Sequence, residues 1–566
     1  MDKRVARRVF EQIAASLALK GDNPFRIRAF ENAARIIAEY PGDLATAVSS
    51  GAFAEIEGIG KGSIEILREL EATGRSSVLA DLQEQVPPGL VEMLRVPGLG
   101  VAKVRQIHDA LHVDSLADLE AAAADGRLAE LPRFGAKTAK KIHEAIAYLR
   151  RSSEFRLLHH ALAEAELLRQ ALAVQPGVVR VEVAGSIRRR REIIRDVDLV
   201  VASAPGDREA LVERLGAIPG VTEFVGREAA VTLRFDSGLV ADVVLATPDD
   251  FGLAWIRATG SDDHVRALED RAAARAVRLD AAGCAADEVG VYRAIGLAWI
   301  PPELRENMGE LEAAASGTLP RLVEHTDLKG LLHCHTNYSD GSVTVAEWAE
   351  AAHRAGYEWI GITDHSGSAA YAGGLTAADV PRQHKEIDAI NRGSSRTRVL
   401  KGVEADILAD GTLDYGPDVL DRFDFVIGSI HSRLGMSGTE MTARVLHAME
   451  DPHLTILGHP TGRLLLAREP YDLDMEQVLR TAAARGIAME VNADPHRLDL
   501  DWRMVRRARE LGVAVSIGAD AHSVTGLANV PVGTGMARKG WLAAPDVLNT
   551  RDVDGFLAFA ARRRAS

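Results

Sequence analysis

The sequence has 566 residues, and at about 100 to 200 residues per domain this length excludes a single-domain protein. Hydrophobic residues make up 47% and charged residues 26%, and no stretch approaches the ~20 apolar residues needed to span a bilayer, which excludes a membrane protein. The charged start and only two cysteines, Cys284 and Cys334, predict a cytoplasmic protein without a disulfide framework. The net charge of −14 argues against nucleic acid as a partner, because phosphates are bound mainly by cations.

Apolar periodicity near 3.6 predicts that residues 1 to about 150 are helical. A recurring element in this part joins two helix-like runs through a short glycine-containing turn: IEGIGKGSIEILREL (56–70), VPGLGVAKVRQIHDAL (96–111) and LPRFGAKTAKKIHEAI (131–146). The first two turns resemble helix-hairpin-helix motifs, in which glycines let backbone N–H groups at a helix start approach a DNA phosphate, often through a monovalent cation. The predicted contacts are the glycines and the cations after them, namely Gly58, Gly60, Lys61, Gly98, Gly100 and Lys103. A plain helix–helix connector is the alternative, above all for the third copy, where Arg133 replaces the first glycine.

Runs rich in β-branched residues from about residue 180 predict a mixed α/β unit. Asp196 and Asp198 open one of its strands, where the i, i+2 spacing directs both carboxylates to one face, and Asp242 lies within the apolar strand LVADVVLA. Three carboxylates that face one point repel unless cations lie between them, as in nucleotidyl transfer with two Mg²⁺ or Mn²⁺ ions. Gly185, Ser186 and the arginines after them offer donors for a triphosphate. A solvated acidic strand end beside a basic turn is the alternative.

Residues after about 328 alternate seven strand-like runs with helical ones, which predicts a parallel α/β barrel. Each strand ends in a cluster of His, Asp, Glu or Asn, at the barrel rim where catalytic groups collect. Nine of these side chains form the predicted metal site: His333, His335, Asp340, His365, Glu404, His431, His459, Asp520 and His522. Mixed nitrogen and oxygen ligands suit two or three Mn²⁺ or Zn²⁺ ions better than Mg²⁺ and predict a hydrolytic site. One such histidine alone would more often be an ordinary surface or core residue.

Two further polar residues follow strands of this barrel. Arg463 comes after GHP, and Asn492 comes after MEV. We interpret them as candidates for a phosphate contact and for support of a metal ligand, with a surface charge or a turn residue as the alternative for each.

The motifs HCHTNYSDG, ITDHS, GVE, GSIHS with GHP, and GADAHS resemble the PHP (polymerase and histidinol phosphatase) superfamily over about residues 328–566. This resemblance implies a trinuclear, often Mn²⁺-dependent phosphoesterase whose ligands are the nine residues above. Residues 1 to about 315 resemble family X DNA polymerases in PFRIRAFENAARII, the hairpins, GS…DVD, TGS (259–261) and IPPELREN (300–307). The second resemblance implies that the three aspartates bind the catalytic metals. It also implies that the incoming nucleotide contacts Gly185, Ser186, Arg189, Thr259, Gly260 and Ser261.

Together the two resemblances imply a multidomain fold. An N-terminal α-helical part with helix-hairpin-helix motifs would precede an α+β nucleotidyltransferase palm and thumb and a C-terminal α/β distorted (β/α)7 barrel. The expected boundaries are 1–88 for a helical DNA-binding domain, 89–150 for a fingers-like domain, 151–245 for the palm, 246–315 for the thumb, 316–327 for a linker and 328–566 for the PHP domain.

The expected function is a DNA-directed DNA polymerase that fills short gaps in DNA repair, with a Mn²⁺-dependent 3′-5′ exonuclease in the barrel. Its partners would be gapped or primer-template DNA and dNTP, without a membrane, and we expect a monomer. The acidic charge is compatible with DNA, because residues 1–150 hold 20 Lys and Arg against 21 Asp and Glu. Elsewhere, proposed metal ligands contribute part of the negative excess, which bound ions would offset.

Departures from the family X pattern support an alternative, in which a PHP nuclease is joined to a DNA-binding scaffold with weak or lost polymerase activity. Arg257 and Ala258 stand where the family has an aromatic pair that packs on the nucleotide sugar, and Val265 follows His264 where bacterial members have Asn. Ile66 stands at the position of the lysine used for deoxyribose-phosphate lyase chemistry, so we do not expect that activity by the usual route. A third hypothesis, a small-molecule phosphatase, leaves the hairpins unexplained.

Overall fold

The structure of the chain is a computed structural model that describes residues 3–40, 43–56, 58–152, 154–227, 229–280, 285–393 and 396–564. Cys284 lies outside the described residues, and Cys334 is a buried free thiol. The chain divides into two compact units, Met1–Glu154 and Phe155–Ser566. None of the helices in the described ranges is long and apolar enough to cross a membrane.

The first unit is helical, as the periodicity predicts. Asp43, Ser76 and Ser115 each accept a hydrogen bond from a backbone N–H in the first turn of a helix, which explains where three of the helices begin. Two hydrophobic cores form, one around Phe10 and one around Phe134. The described helices are α1 (Lys3–Lys20), α2 (Pro24–Glu39), α3 (Leu44–Ser50), α4 (Lys61–Thr73), α5 (Ser77–Gln85), α6 (Pro88–Met93), α7 (Val101–Leu111), α8 (Leu116–Ala124), α9 (Arg127–Glu130) and α10 (Gly135–Ser152).

The second unit begins with a mixed sheet of order β2-β4-β7-β6-β5, in which β4 and β7 run parallel and the other neighbours run antiparallel. Strand β4 is apolar on both faces. Leu199 and Val201 on one face share a core with Leu158 and Leu168, and Val200 and Ala202 on the other face pack with Phe251. The elements are β1 (Arg156–Leu157), α11 (Leu158–Ala173), β2 (Val178–Val183), α12 (Gly185–Arg188), β3 (Ile193–Ile194), β4 (Val197–Ser203), α13 (Arg208–Gly216), β5 (Val221–Arg227), β6 (Ala230–Phe235) and β7 (Val240–Ala246).

A small helical layer follows the sheet and packs around its own core, which includes Tyr292 and Ile300. Its helices are α14 (Phe251–Thr259), α15 (Asp262–Ala274), α16 (Glu288–Ala294) and α17 (Glu310–Ser316).

The rest of the second unit confirms the predicted barrel. Seven of the described strands, β8 to β14, close in chain order, all parallel, with β14 paired to β8. The elements are β8 (Gly330–Cys334), α18 (Val345–Arg354), β9 (Trp359–Ile362), α19 (Val380–Arg392), β10 (Arg398–Asp406), α20 (Pro417–Leu420), β11 (Phe425–Ser429), α21 (Gly438–Ala448), β12 (Leu454–Leu457), α22 (Met475–Arg485), β13 (Ala488–Asn492), α23 (Trp502–Glu510), β14 (Val515–Ala521), α24 (Val530–Lys539) and α25 (Val553–Ala561).

One end of the barrel is filled by apolar side chains. Phe556 of α25 stacks on Trp359 with ring centroids 4.6 Å apart and shares a core with Phe425 and Ile456. This packing lies at the amino ends of β9 and β11, opposite the carboxyl ends where the predicted metal ligands lie.

The segment predicted as a linker, 316–327, is packed against the barrel. Leu322 and Val323 are buried, and the Val323 N–H donates to the carbonyl of Leu542 at 2.9 Å. Arg538 of α24 also pairs with Glu303, with 2.7 Å between Nε and Oε1. The barrel and the helical layer before it are therefore held together by backbone and side-chain contacts.

Candidate metal centres and nucleotide site

The nine predicted barrel ligands all lie at the carboxyl ends of strands, either in the last residues of a strand or in the loop after it. The structure brings them together in four overlapping groups, and within each group the ligand atoms lie within 4.8 Å of one another. The groups are His335 with Asp340, His365 and His522; His333 with Glu404 and His459; His333 with His335 and Asp520; and His365 with Glu404 and His431. We refer to these nine residues as the barrel cage.

Glu404 lies at the centre of the barrel cage. Its two carboxylate oxygens approach imidazole nitrogens of four histidines at 2.8 to 3.3 Å, namely His333, His365, His431 and His459. Glu404 is fully buried and belongs to two of the four groups, so it is a candidate ligand in both.

The residue chemistry of the barrel cage fits divalent ions. Both ring nitrogens of His335, Nε2 of His333 and Oε2 of Glu404 are buried and have no hydrogen-bond partner. Buried polar atoms are normally paired, so unpaired nitrogen and oxygen atoms converging on one cavity indicate ligands for a metal. The set is richer in imidazole than a Mg²⁺ site would be.

Opposite charges lie side by side in the barrel cage. Burial by itself would raise the pKa of Glu404, but His365, His333 and His431 outweigh it and hold that pKa well below its usual range. The same holds for Asp520. Burial acts to raise its pKa, but His333 and His335 have the larger effect and hold the pKa well below its usual range. The imidazoles of the cage therefore favour the charged form of Glu404 and Asp520.

The strand geometry at two ligands differs from the alternation that the sequence suggests. His333 and Asp520 have left-handed φ values of 61° and 46°, and the strand pairing shifts register beside both of them. His333 and His335 do meet, with ring centroids 5.2 Å apart, but through an irregular strand end. Such backbone is costly for residues other than glycine, so the surrounding packing determines it.

Two carboxylates that sequence reasoning missed hold histidine ligands of the barrel cage. Glu490 is fully buried, its Oε1 lies 2.5 Å from Nδ1 of His333, and its Oε2 accepts the His459 N–H at 2.7 Å. Asp406 contacts Nδ1 of His431 at 2.6 Å. Both acids lie two residues from a recognised motif residue, in GVEAD and MEVN, which is the signal that could have found them.

The two further barrel candidates, Arg463 and Asn492, have different surroundings. Asn492 donates to Oδ2 of Asp520 at 2.9 Å, so it supports a ligand. Arg463 donates to the carbonyls of Arg497 and Leu498, which ties its guanidinium to the backbone. Arg497, which sequence reasoning missed, instead places Nε 3.5 Å from Oδ2 of Asp520, at the edge of the barrel cage.

In the palm sheet, Asp198 and Asp242 are direct neighbours across the parallel β4–β7 pair. Asp196 precedes β4 and lies 3.6 Å from the guanidinium of Arg195. We refer to Asp196, Asp198 and Asp242 as the palm triad. Among the described residues, the groups of three or more ligand atoms within 4.8 Å lie in the barrel, so the palm triad is more open.

Gly185 makes room for the palm triad. Its φ is +61°, and a Cβ at this position would lie 1.7 Å from Oδ2 of Asp198. The backbone N–H of the next residue, Ser186, favours the charged form of the same carboxyl and so acts to lower its pKa. The Gly-Ser pair thus sits directly against Asp198, which the spacing in sequence alone did not reveal.

The palm triad carries unbalanced negative charge. Burial and the neighbouring carboxylates Asp196 and Asp242 raise the pKa of Asp198 to about 7. Cations bound between the carboxylates would remove this repulsion, which makes the site suitable for divalent metals.

The other predicted nucleotide contacts surround the TGS turn. Arg189 donates through Nη1 to the carbonyl of Thr259 at 2.6 Å and through Nε to Glu306 at 3.1 Å. Thr259 is fully buried, and its hydroxyl accepts from Arg188 at 3.0 Å. Ser261 caps α15 by accepting the His264 N–H at 3.1 Å. The Thr259 and Ser261 side chains hold the turn, with Gly260 between them.

Three residues at or next to the departures from the family pattern have clear structural surroundings. His264 is buried and contacts Glu310 at 2.5 Å and the Tyr292 hydroxyl at 3.0 Å, so it belongs to the core of the helical layer. Arg257 is exposed and pairs with Glu269 at 3.0 Å. Ile66 is 4% exposed and packs in the first hydrophobic core, which gives it a structural place in α4.

The first two hairpins share one geometry. Gly58 and Gly98 have φ of +93° and +85°, and Gly60 and Gly100 precede α4 and α7 with extended backbone. A Cβ on Gly60, Gly98 or Gly100 would meet nothing within 4 Å, so three of the four turn glycines face open space, whereas a Cβ on Gly58 would lie 2.3 Å from Nδ2 of Asn32. In the third copy, Arg133 takes the left-handed position at φ +73°.

The lysines after the two turns are placed differently. Lys61 is exposed at the start of α4, whereas Lys103 donates to the carbonyl of Gly98 at 2.8 Å and so braces its own turn.

A polymerase-type palm and a histidine-rich phosphoesterase barrel in one chain define a two-centre class of nucleic-acid enzyme. Models of known families match the chain in the same order: a helix-hairpin-helix domain over residues 1–76, a SAM-like helix-hairpin-helix tandem over 90–147, the DNA polymerase beta thumb over 254–306 and the PHP domain over 332–494.

The chain is 36% identical to the DNA polymerase/3′-5′ exonuclease PolX of Bacillus subtilis (strain 168) over 572 residues, which cover 98% of this chain and 99% of that protein. It therefore belongs to the PolX family, the family X DNA polymerases with a PHP domain. The chain is also 30% identical, over 213 residues, to probable phosphatases from Caldicellulosiruptor saccharolyticus and Syntrophotalea carbinolica. Each of these alignments covers 35% of this chain and 82% of the phosphatase.

Proposed function

We propose that this protein is a template-directed DNA polymerase that fills short gaps during DNA repair and removes nucleotides from 3′ ends with its barrel. The observation that carries the proposal is the similarity to PolX along nearly the whole chain, supported by candidate metal ligands that lie close together in the barrel and by the neighbouring Asp198 and Asp242 in the palm. Growth and trimming of the same strand end form a coherent pair of reactions.

The palm triad would hold Mg²⁺ or Mn²⁺ for nucleotidyl transfer to a primer. Arg189 and the Ser186 backbone would bind the triphosphate of the dNTP, because both lie beside Asp198 and both are donors. The side chains of Thr259 and Ser261 are engaged within the turn, so Gly260 and the backbone of the turn would supply its nucleotide contact.

The barrel cage would hold Mn²⁺ or Zn²⁺. Ions bound there supply the Lewis acid for phosphodiester hydrolysis. Arg497 would bind the phosphate of the 3′-terminal nucleotide, since its guanidinium lies beside Asp520 at the edge of the cage. Glu490 and Asp406 would keep His333 and His431 oriented.

The hairpins would bind the DNA backbone, with a monovalent cation as a bridge to phosphate. Their open glycine turns and the helix starts behind them present N–H groups without a basic surface. Gapped or primer-template DNA would then be held by local contacts, and the enzyme would act as a monomer in the cytoplasm.

Selective loss of each reaction tests the proposal. In a His333→Ala/His335→Ala variant, Mn²⁺-dependent 3′-5′ degradation of a labelled primer should fall to background while primer extension continues. Asp196→Ala should show the reverse pattern and serves as the matched control. Nuclease activity that survives the double histidine change would overturn the assignment of the barrel cage.

The scaffold hypothesis is less favoured, because the similarity to PolX extends along nearly the whole chain. Arg257, Ala258 and Val265 still motivate a direct assay of nucleotide incorporation on a gapped template. Incorporation with Mg²⁺ or Mn²⁺ supports the polymerase, and its absence with both metals would support the scaffold.

A further inference from the structure

The barrel half contributes a lysine to the nucleotide side of the palm. Lys539, the last residue of α24, is fully buried, and its Nζ donates to Oε1 of Glu306 at 2.6 Å. The same oxygen accepts Nε of Arg189 at 3.1 Å, and Oε2 lies 3.9 Å from Arg191. Glu306 thus joins a lysine of the barrel half to two arginines of the loop after Gly185.

We propose that Lys539 is a positioning residue for dNTP binding, which acts through Glu306 on Arg189. This inference rests on the proposed polymerase function. Lys539 would couple the barrel half to the nucleotide site without contacting the nucleotide itself.

The plane of the Arg189 guanidinium is determined by two acceptors. One is the carbonyl of Thr259 at 2.6 Å, and the other is Glu306. A planar guanidinium binds a triphosphate well only when it is already oriented, since its donors form a rigid fork. Whatever holds Glu306 therefore sets the orientation of Arg189.

Glu306 is held mainly from the barrel side. Its side chain is 9% exposed, and its hydrogen bond to Lys539 is its shortest described ion pair. Lys539 is itself confined, with Nζ 4.5 Å from the centre of the Trp502 ring and 3.4 Å from the Glu303 carbonyl. Burial lowers the pKa of Lys539 to about 8 against the attraction of Glu306, so it carries its charge near neutral pH.

The same helix contains a matched control. Arg538 pairs with Glu303 at 2.7 Å and donates to the Val323 carbonyl at 3.1 Å. It contributes to the attachment of α24 but makes no described hydrogen bond or ion pair with Glu306 or Arg189. A lysine that only holds the halves together would behave like Arg538.

The test is steady-state primer extension with Lys539→Met, which keeps the stem and removes the charge. We expect the KM for dNTP to rise about tenfold with kcat changed by less than about twofold, since a lost hydrogen bond to a charged group has roughly this effect. Exonuclease activity should stay within about twofold of the unmodified protein. Arg538→Met should leave the KM for dNTP within about twofold.

Glu306→Gln provides the second arm and keeps the test decisive if Lys539→Met does not fold. This variant should raise the KM for dNTP on its own, and in its background Lys539→Met should add little. An unchanged KM in Glu306→Gln, or independent additive effects of the two changes, would overturn the inference. Failure of the unmodified protein to incorporate dNTP would instead reject the proposed polymerase function, so the two failures are distinguishable.

Discussion

The palm triad and the barrel cage are both candidate metal centres in one chain, yet their electrostatics are opposite. In the palm, burial and the neighbouring carboxylates raise the pKa of Asp198 to about 7. In the barrel, burial acts in the same direction on Glu404, but surrounding histidines reverse its effect and lower that pKa well below its usual range. The difference lies in what surrounds the carboxylate: acids in one case, imidazoles in the other.

This contrast suggests two ways to build a site for divalent ions. The barrel cage combines carboxylates with imidazoles, and the ligand atoms within each of its groups lie within 4.8 Å of one another. The palm triad consists of carboxylates alone and is more open, so divalent ions would offset the repulsion between its members.

The largest expected effect comes from filling the space beside the palm triad. Gly185→Ala would place a Cβ 1.7 Å from Oδ2 of Asp198 at a φ of +61°, so the carboxylate must move. Because displacement by about 1 Å can cost a hundredfold in rate, we expect polymerase activity to fall about a hundredfold. Single-nucleotide incorporation measures this loss, and exonuclease activity should not change.

Gly206→Ala is the control for this variant, since a Cβ at Gly206 meets nothing within 4 Å. Equal polymerase activity in the two variants would show that the close approach of Gly185 to Asp198 has no functional role.

The charge imbalance of the palm should appear in the pH dependence of stability. A carboxyl whose folded-state pKa is raised stabilises the fold at low pH, and this contribution is lost as pH rises through about 7. We therefore compare the unfolding free energy of Asp198→Asn with that of the unmodified protein in the absence of divalent ions. The difference should shift in favour of Asp198→Asn by about 2 kcal/mol as pH rises from 5 to 8. Thermal melting with a chelator measures the difference.

Asp249→Asn, a change at an exposed residue just after β7, is the control, and its melting curves should run parallel to those of the unmodified protein. Added Mg²⁺ should reduce the advantage of Asp198→Asn. Parallel melting curves for Asp198→Asn and the unmodified protein would mean that the palm carboxylates do not repel one another in the folded state.

The smallest expected effect tests the support of the barrel cage. Glu490→Gln keeps the side-chain shape but removes the charge beside Nδ1 of His333. Loss of such a partner typically lowers metal affinity about tenfold to a hundredfold, and we expect the lower part of this range because the amide oxygen can still accept. Mn²⁺ titration by calorimetry measures the affinity.

Glu476→Gln, an exposed barrel residue paired with Arg507, is the control and should bind Mn²⁺ normally. If Glu490→Gln also binds Mn²⁺ normally, the cage does not depend on its outer carboxylates.

The local sequence pattern is sufficient to predict some features of the two metal centres and insufficient to predict others. The cage ligands could be predicted because strand-end residues of a parallel barrel converge, so their placement follows from the order of strands and helices. The neighbouring positions of Asp198 and Asp242 follow from strand pairing in the same way. Glu490 was missed because its partners, His333 and His459, come from other strands of the barrel, and its only local mark is that it lies two residues before Asn492.

The sequence by itself determined which residues are candidate ligands, where the hairpin glycines lie, and that a helical part, a palm and a barrel follow one another. These depend on periodicity and spacing within short segments. Only the tertiary structure decided which carboxylates are balanced by histidines, that Gly185 touches Asp198, and that Lys539 reaches Glu306 from 233 residues away. Such pairings depend on packing between distant segments, because electrostatic and steric effects act over a few ångströms in space regardless of separation along the chain.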